Sequence, residues 1–217
     1  QDGATTDLAF RKRMAGEAFG VSSHYDAAIG TWMRGNGGGE LNVNHRMGRE
    51  LRYGENPHQP GQFFGDLDAI FDQRAGKALS YNNLLDVESA VSLMAEFRNE
   101  EPTFAVLKHN NACGIATRSS IEQAFDDALA GDPVSAFGGV LIANRPINLK
   151  TAEAIHKLFY EVLIAPDFEA DAQALLTQKS KRVLLLQKSW PTPEGDRIVR
   201  SALGGYLVQA PDHKTEQ

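Results

Sequence analysis

Phe104-Ala105-Val106-Leu107-Lys108-His109-Asn110-Asn111-Ala112-Cys113-Gly114 is the run on which the fold turns. Its four unbroken apolar residues read as a buried strand over 103–107. The strand delivers a cation and an imidazole to its C-terminal edge, which is where ligands sit in open α/β sheets. Lys108 beside His109 supplies a positive charge and a proton shuttle, and Gly114 permits close backbone approach. A strand that merely surfaces into a polar turn leaves the same trace, so this run alone keeps both readings open.

Outward from that strand, helical and extended patterns alternate. Val87, Ala90, Val91, Met94 and Phe97 form one apolar helical stripe before it, on a helix starting near Asp86. Ile121, Ala124, Phe125, Ala128 and Leu129 form another after it, opened by Ser120-x-x-Gln123 as a capping box. The apolar run 139–143 is a further strand. Ala152, Ile155, Leu158, Phe159 and Val162 mark a third helix that runs into a short strand over 162–165, stopped by Pro166. A helix near 168–178, a strand over 182–186 and a last strand near 197–208 complete the series. Strands separated by helical stretches of about ten residues or more imply a largely parallel sheet with helices on both faces.

The N-terminal part differs. Residues 6–33 read as two helices, the second carrying Tyr25, Ala28, Ile29, Trp32 and Met33 on one face behind Ser23-x-x-Asp26. Arg34-Gly35-Asn36-Gly37-Gly38-Gly39 then reads as flexible linker, and the polar end 211–217 is expected to fray.

Composition narrows the function classes. At 217 residues the chain is long enough to bury a full core, and 42% hydrophobic with 23% charged residues is an ordinary globular balance. A net charge of −6 argues against nucleic-acid partners and anionic membrane surfaces. It leaves a nucleotide site open, because phosphate affinity is set locally. A single cysteine excludes an internal disulfide framework and fits a reducing, cytoplasmic setting. No apolar run approaches the roughly 18 residues of a membrane span. The chain starts with Gln1 rather than methionine, which suggests an excerpt or a processed product.

A second polar segment, Arg52-Tyr53-Gly54-Glu55-Asn56-Pro57-His58-Gln59, has little suited to a core. Its guanidinium, phenol, amides and imidazole suit a phosphorylated polar ligand, since arginine binds phosphate through two parallel hydrogen bonds. Together with Leu79-Ser80-Tyr81-Asn82-Asn83-Leu84-Leu85-Asp86 and Asp132-Pro133-Val134-Ser135-Ala136-Phe137-Gly138-Gly139, these segments resemble, in order, one family. It is that of the bifunctional purine-biosynthesis enzymes, which formylate aminoimidazole carboxamide ribonucleotide and cyclise the product to inosine monophosphate (IMP).

The resemblance implies a cytidine-deaminase-like α/β sandwich preceded by linker helices. Residues 1–34 would then be the end of the cyclohydrolase domain, 35–47 a linker, and 48–217 the first half of the transformylase domain. The cyclohydrolase chemistry would lie upstream, the second transformylase half would be absent, and the piece alone would be inactive and would dimerise with itself. The co-substrate implied is formyltetrahydrofolate. The implied catalytic pair is Lys108 and His109, with His109 moving protons and Lys108 stabilising the oxyanion or protonating the leaving nitrogen. Both can reach one ligand only if the strand ends or bends there, because adjacent strand residues face opposite ways.

By the resemblance, Arg52 and Tyr53 match family positions that hold the substrate nucleotide, and Asn83 matches a substrate contact. Glu161 falls where relatives carry an acidic residue near the ribose or ring, while Gly138 would let the backbone approach the ligand. Bland readings stand beside each: a surface turn for Arg52 and Tyr53, a helix cap for Asn83, a bulge for Gly138, and a solvated helix end for Glu161. Ala112 stands where the family usually has proline, which loosens the turn without removing a reactive group. Cys113 reads as packing rather than as a nucleophile.

Zinc deaminases share the implied fold. Their H-x-E and P-C-x-x-C signatures are missing here, so no zinc is expected. His24, His45, His156 and His213 are scattered and read as structural or solvated. The rival function is a catalytically dead nucleotide-binding or dimerisation module. A phosphatase or nucleotidyltransferase is disfavoured, since neither a paired-carboxylate metal motif nor a phosphate-cradling glycine loop is evident.

Overall fold

Ten strands and six helices follow one another in the described part of the chain. The computed structural model describes residues 5–35, 40–43, 45, 48–191 and 197–212. The expected linker glycines at 37–39, the fraying end 213–217 and His213 lie outside them. The chain folds as two compact units, residues 1–65 and 66–217.

In the first unit, α1 (Leu8–Arg34) is one helix of 27 residues, not the two expected. Ser23 does not cap a new helix: its hydroxyl donates back to the Gly20 carbonyl at 3.2 Å inside the continuing one. Asp7 caps the start by accepting from the Phe10 N–H, and Gly35, at φ 60°, ends it. None of its residues is buried, and Trp32 is 80% exposed. A short antiparallel hairpin, β1 (Gly48–Glu50) and β2 (Gln62–Phe64), encloses the Arg52 segment.

The second unit is built on a six-stranded sheet. After α2 (Leu67–Ile70) come β3 (Phe71–Ala75), α3 (Tyr81–Glu96), β4 (Thr103–Lys108) and β5 (Asn111–Thr117). Then follow α4 (Ile121–Gly131), β6 (Gly139–Ala143), α5 (Leu149–Lys157), β7 (Tyr160–Ala165), α6 (Ala170–Leu176) and β8 (Val183–Gln187). The strand order is β3-β8-β7-β6-β4-β5. Only β6–β7 and β7–β8 pair in parallel, through the α5 and α6 crossovers. The β4–β5, β4–β6 and β3–β8 pairs are antiparallel, so the sheet is mixed rather than largely parallel. The reason is local: Lys108 pairs with Asn111 across a two-residue turn, too short for anything but an antiparallel return.

Both faces are covered. Phe104, Val106, Leu141, Leu163 and Leu184 join Ile121, Phe125, Ile155 and Leu176 of α4, α5 and α6 in one cluster. Phe104 and Phe125 meet edge to face at 5.0 Å. The alternate strand residues Ala105, Leu107, Ile142, Val162 and Ile164 are equally buried. They point the other way, toward α3, which packs on β4, β6 and β7. The chain ends in β9 (Ile198–Ala202) and β10 (Gly205–Gln209), an antiparallel hairpin where a single strand was expected. Leu203 and Gly204, both at positive φ, make its turn.

Candidate active site

The β4–β5 hairpin carries the chemistry-bearing residues because β4 stops at Lys108. His109 and Asn110 follow at φ 52° and 63°, so both central turn residues are left-handed, as a type I′ hairpin loop requires. This is the bend that lets neighbours in sequence serve one cleft. The Lys108 ammonium donates to the Phe137 carbonyl at 2.7 Å, fixing the cation against the segment that leads into β6. Asn111 donates from Nδ2 to the His109 carbonyl at 3.0 Å. On the other side of the turn, the Asn110 N–H donates to Asp86 Oδ1 of α3 at 2.9 Å.

Lys108, His109, Asn111, Ala112, Cys113, Asp132 and Ser135 line an open cleft of about 410 Å³. Asp132 holds its loop by accepting the Ser135 N–H at 2.9 Å. Hydrogen bonding from Ser135, side chain before backbone, lowers its carboxyl pKa, so it stays charged. The Cys113 thiol is pushed up by burial and then by the Asp132 charge, with Lys108 opposing. A thiol held protonated is a poor nucleophile, which favours the packing reading. Cys113 is also the extra residue of a β-bulge, since Val106 pairs with Gly114 and Leu107 with Ala112.

The remaining expected residues divide between the two units. Leu107 pairs with Val140 and Gly139 with Tyr160, so the end of β4 and the starts of β6 and β7 share one end of the sheet. Lys108, His109, Gly138 and Glu161 therefore gather there. It is the end where the parallel strands begin, not their C-terminal edge, because β4 runs against them. Gly138 sits at φ 76° and donates its N–H to the Phe159 carbonyl at 2.8 Å. A Cβ there would be 3.6 Å from the Phe159 ring, so the backbone angle rather than space demands glycine.

Glu161 is the second residue of β7, not the end of a helix, because α5 already stops at Lys157. It pairs with Lys77 at 2.7 Å. Asn83 is buried at the third position of α3, which begins at Tyr81 rather than near Asp86. Ser80 Oγ accepts from the Asn83 N–H and Asn83 Oδ1 accepts from the Ser80 N–H, both at 3.2 Å. The capping reading of Asn83 is thus realised.

Arg52 and Tyr53 lie in the first unit. The Arg52 guanidinium stacks on the Tyr53 ring, 4.6 Å from its centre, and donates to its hydroxyl at 2.9 Å. Asn56 and Gln59 close the loop behind them through Gln59 Oε1. Three contributors, Asp86, Asp132 and Ser135, had no assigned role from sequence. The Asp132-x-x-Ser135 spacing is a turn signal that could have marked the second and third. No group of three or more histidine, cysteine or acidic side chains able to hold a metal occurs among the described residues. No described helix is long and apolar enough to cross a membrane.

The second unit is thus a mixed α/β fold that sets a tethered lysine and an exposed imidazole on a left-handed turn beside a cleft. The family model for the AICARFT/IMPCHase bienzyme matches residues 1–217. The bifunctional purine biosynthesis protein PurH of Bacteroides thetaiotaomicron is 51% identical over 216 residues, covering 100% of this chain and 42% of that protein. PurH of Chloroflexus aurantiacus is 44% identical, over 95% of this chain and 41% of the relative. For PurH of Rhodospirillum rubrum the figures are 42% identity, 97% and 42%. The chain belongs to the AICARFT/IMPCHase bienzyme family. It spans about two-fifths of the length of the curated relatives it matches.

Proposed function

We propose that this chain carries the nucleotide side of a formyltransferase site, acting in purine (IMP) biosynthesis. A formyl group would pass from formyltetrahydrofolate to the amine of aminoimidazole carboxamide ribonucleotide. The observation that carries this is Lys108 and His109 on one left-handed hairpin beside a polar cleft, in a chain of this family. His109 takes the amine proton as the nitrogen bonds to the formyl carbon. Lys108, held at its ammonium by the Phe137 carbonyl, faces the oxyanion that develops. As that oxyanion collapses, the bond to the folate nitrogen breaks, and the proton passes from His109 to that nitrogen.

Within the first unit we assign Arg52 and Tyr53 to nucleotide binding through the phosphate. Within the second, Asn83 and Gly138 are assigned as substrate contacts and Glu161 as the acidic residue near the ribose or ring. Residues 1–34 are the end of a cyclohydrolase domain, 35–47 a linker, and 48–217 a cytidine-deaminase-like half of the transformylase. The setting is cytoplasmic. The working form is a homodimer, favoured by the exposed apolar side chains of α1 such as Phe19, Trp32 and Met33.

Calorimetric titration of the ribonucleotide together with a formyl-transfer assay on the complete gene product tests this. His109→Ala should lower turnover at least about a hundredfold with little change in nucleotide affinity. Arg52→Ala should chiefly weaken binding, because a phosphate contact acts in ground and transition states alike. An unchanged rate in His109→Ala removes that residue from the mechanism. Nucleotide binding without any turnover would establish the rival, a catalytically dead nucleotide-binding or dimerisation module.

A further inference from the structure

We propose that Asp86 is a positioning residue for His109, clamping the hairpin turn in the left-handed form that presents the imidazole to the cleft. The inference rests on the proposed role of His109. Two consecutive non-glycine residues at φ 52° and 63° are an uncommon backbone choice, even though asparagine and histidine tolerate the left-handed region better than most residues. Glycine is the usual residue at the second of these positions, and asparagine stands there instead. Contacts from outside the turn would favour this conformation over the alternatives.

Asp86 is the group in place to do so. Its Oδ1 accepts the Asn110 N–H at 2.9 Å, across 24 positions of sequence. The orientation that satisfies the Asn110 amide turns Nδ2 toward α3. There it donates to Asp86 Oδ1 at 3.1 Å, the Leu85 carbonyl at 3.0 Å and Ser89 Oγ at 3.3 Å. Asn110 is thus gripped by backbone and side chain together, and the grip comes from one helix turn. That helix is itself fixed by the Ser80–Asn83 capping box and by buried Val87, Ala90, Val91 and Met94. His109 needs no contact with Asp86 to depend on it, because its φ is set jointly with that of Asn110.

Three variants in the complete gene product test the clamp, with His109→Ala run beside them. Asp86→Ala should lower kcat about ten- to a hundredfold, the scale of a misplacement near 1 Å, while KM for the nucleotide changes less than about threefold. Asn110→Gly alone should stay within about threefold of wild type, since glycine adopts positive φ unaided. The double variant Asp86→Ala/Asn110→Gly should recover most of the loss, which a general weakening of α3 would not allow. If Asp86→Ala does not fold, amide exchange in Asp86→Asn decides. An Asn110 N–H exchanging about tenfold faster than wild type supports the clamp, because a neutral acceptor binds more weakly. Equal exchange overturns it.

An unchanged kcat in Asp86→Ala beside a crippled His109→Ala overturns the clamp and leaves the catalytic role of His109 standing. A loss that glycine at position 110 does not relieve also overturns it. An unchanged rate in His109→Ala removes the reading on which the clamp depends.

Discussion

Gly114→Ala should be among the most damaging single-methyl additions in the second unit. A Cβ at that position would lie 2.0 Å from the Ala128 carbonyl oxygen and 3.0 Å from its carbon. Both are backbone atoms of α4, so no side chain can swing aside. The helix would have to retreat by about 1 Å or more to reach tolerable contact. Its buried face, Ile121, Ala124, Phe125 and Ala128, is packed in one cluster with Phe104 and Val106, and a Cβ at Gly131 would likewise lie only 2.9 Å from the Cys113 carbonyl oxygen. Overpacking of this kind costs about 1–3 kcal/mol, and a rigid obstacle places this case near the top. The stiffer unfolded chain returns about 0.4–1 kcal/mol.

A net loss near 2 kcal/mol lowers Tm by about 4–8 °C for a protein of this size. Thermal unfolding followed by circular dichroism reads it, and urea unfolding with an unchanged m-value would assign the loss to the native state. Gly138→Ala is the matched control. Its backbone angle is unfavourable for alanine, yet its Cβ would touch nothing closer than 3.6 Å, so its cost should be about half as large. A Gly114→Ala protein melting within about 2 °C of wild type, or above Gly138→Ala, would refute the steric account.

The Glu161–Lys77 pair is about a quarter exposed on each side, so Glu161→Gln should change stability by less than about 1 kcal/mol in urea unfolding. If Glu161 contacts the ribonucleotide, the same variant should weaken nucleotide binding measurably in calorimetry. His156 is held below its ordinary 6.5 by burial, with Arg182 and Lys179 adding to the effect. The unfolded chain therefore binds the proton that the folded one refuses, and stability falls as pH drops below about 6.5. The urea midpoint of His156→Gln should accordingly drop less than that of wild type between about pH 7.5 and pH 5.

Much of the second unit was legible because its strands are apolar runs and its helices carry clear stripes. Phe104-Ala105-Val106-Leu107 and the run 139–143 became β4 and β6 with almost the expected bounds. α4 began where Ser120 announced it, with Ser120 Oγ accepting the Gln123 N–H. The start of α3 was misplaced because Asn82-Asn83 resembles a turn, and an asparagine at the third helical position can complete a capping box usually written with glutamate or glutamine. β5 was missed for a different reason. Asn111, Ala112, Cys113 and Gly114 have little strand propensity, and their extended form comes from pairing with β4. β3, Phe-Asp-Gln-Arg-Ala, likewise becomes a strand only through its antiparallel pairing with β8.

The residue types of the candidate site are readable from the sequence and its topology is not, and one turn accounts for both. A lysine and a histidine after a buried strand are visible from sequence, as is their need for a bend. His109-Asn110 is not a turn signal of the Asn-Gly or Asp-Gly kind, so the immediate antiparallel return of the chain was invisible. Missing it turned β5 into loop and the sheet into a parallel one. The placement at the C-terminal edge of parallel strands followed from that error. In the structure β4 runs against β6, and its end meets the beginning of β6 and β7. The residues collect there because the hairpin, the φ 76° turn at Gly138 and the first turns of α3 meet at that end. Tertiary contacts hold the hairpin in its uncommon conformation, through Asp86 on one side and the Phe137 carbonyl on the other. Neither contact falls within the local sequence window of the turn, so the residue types were readable and the clamp was not.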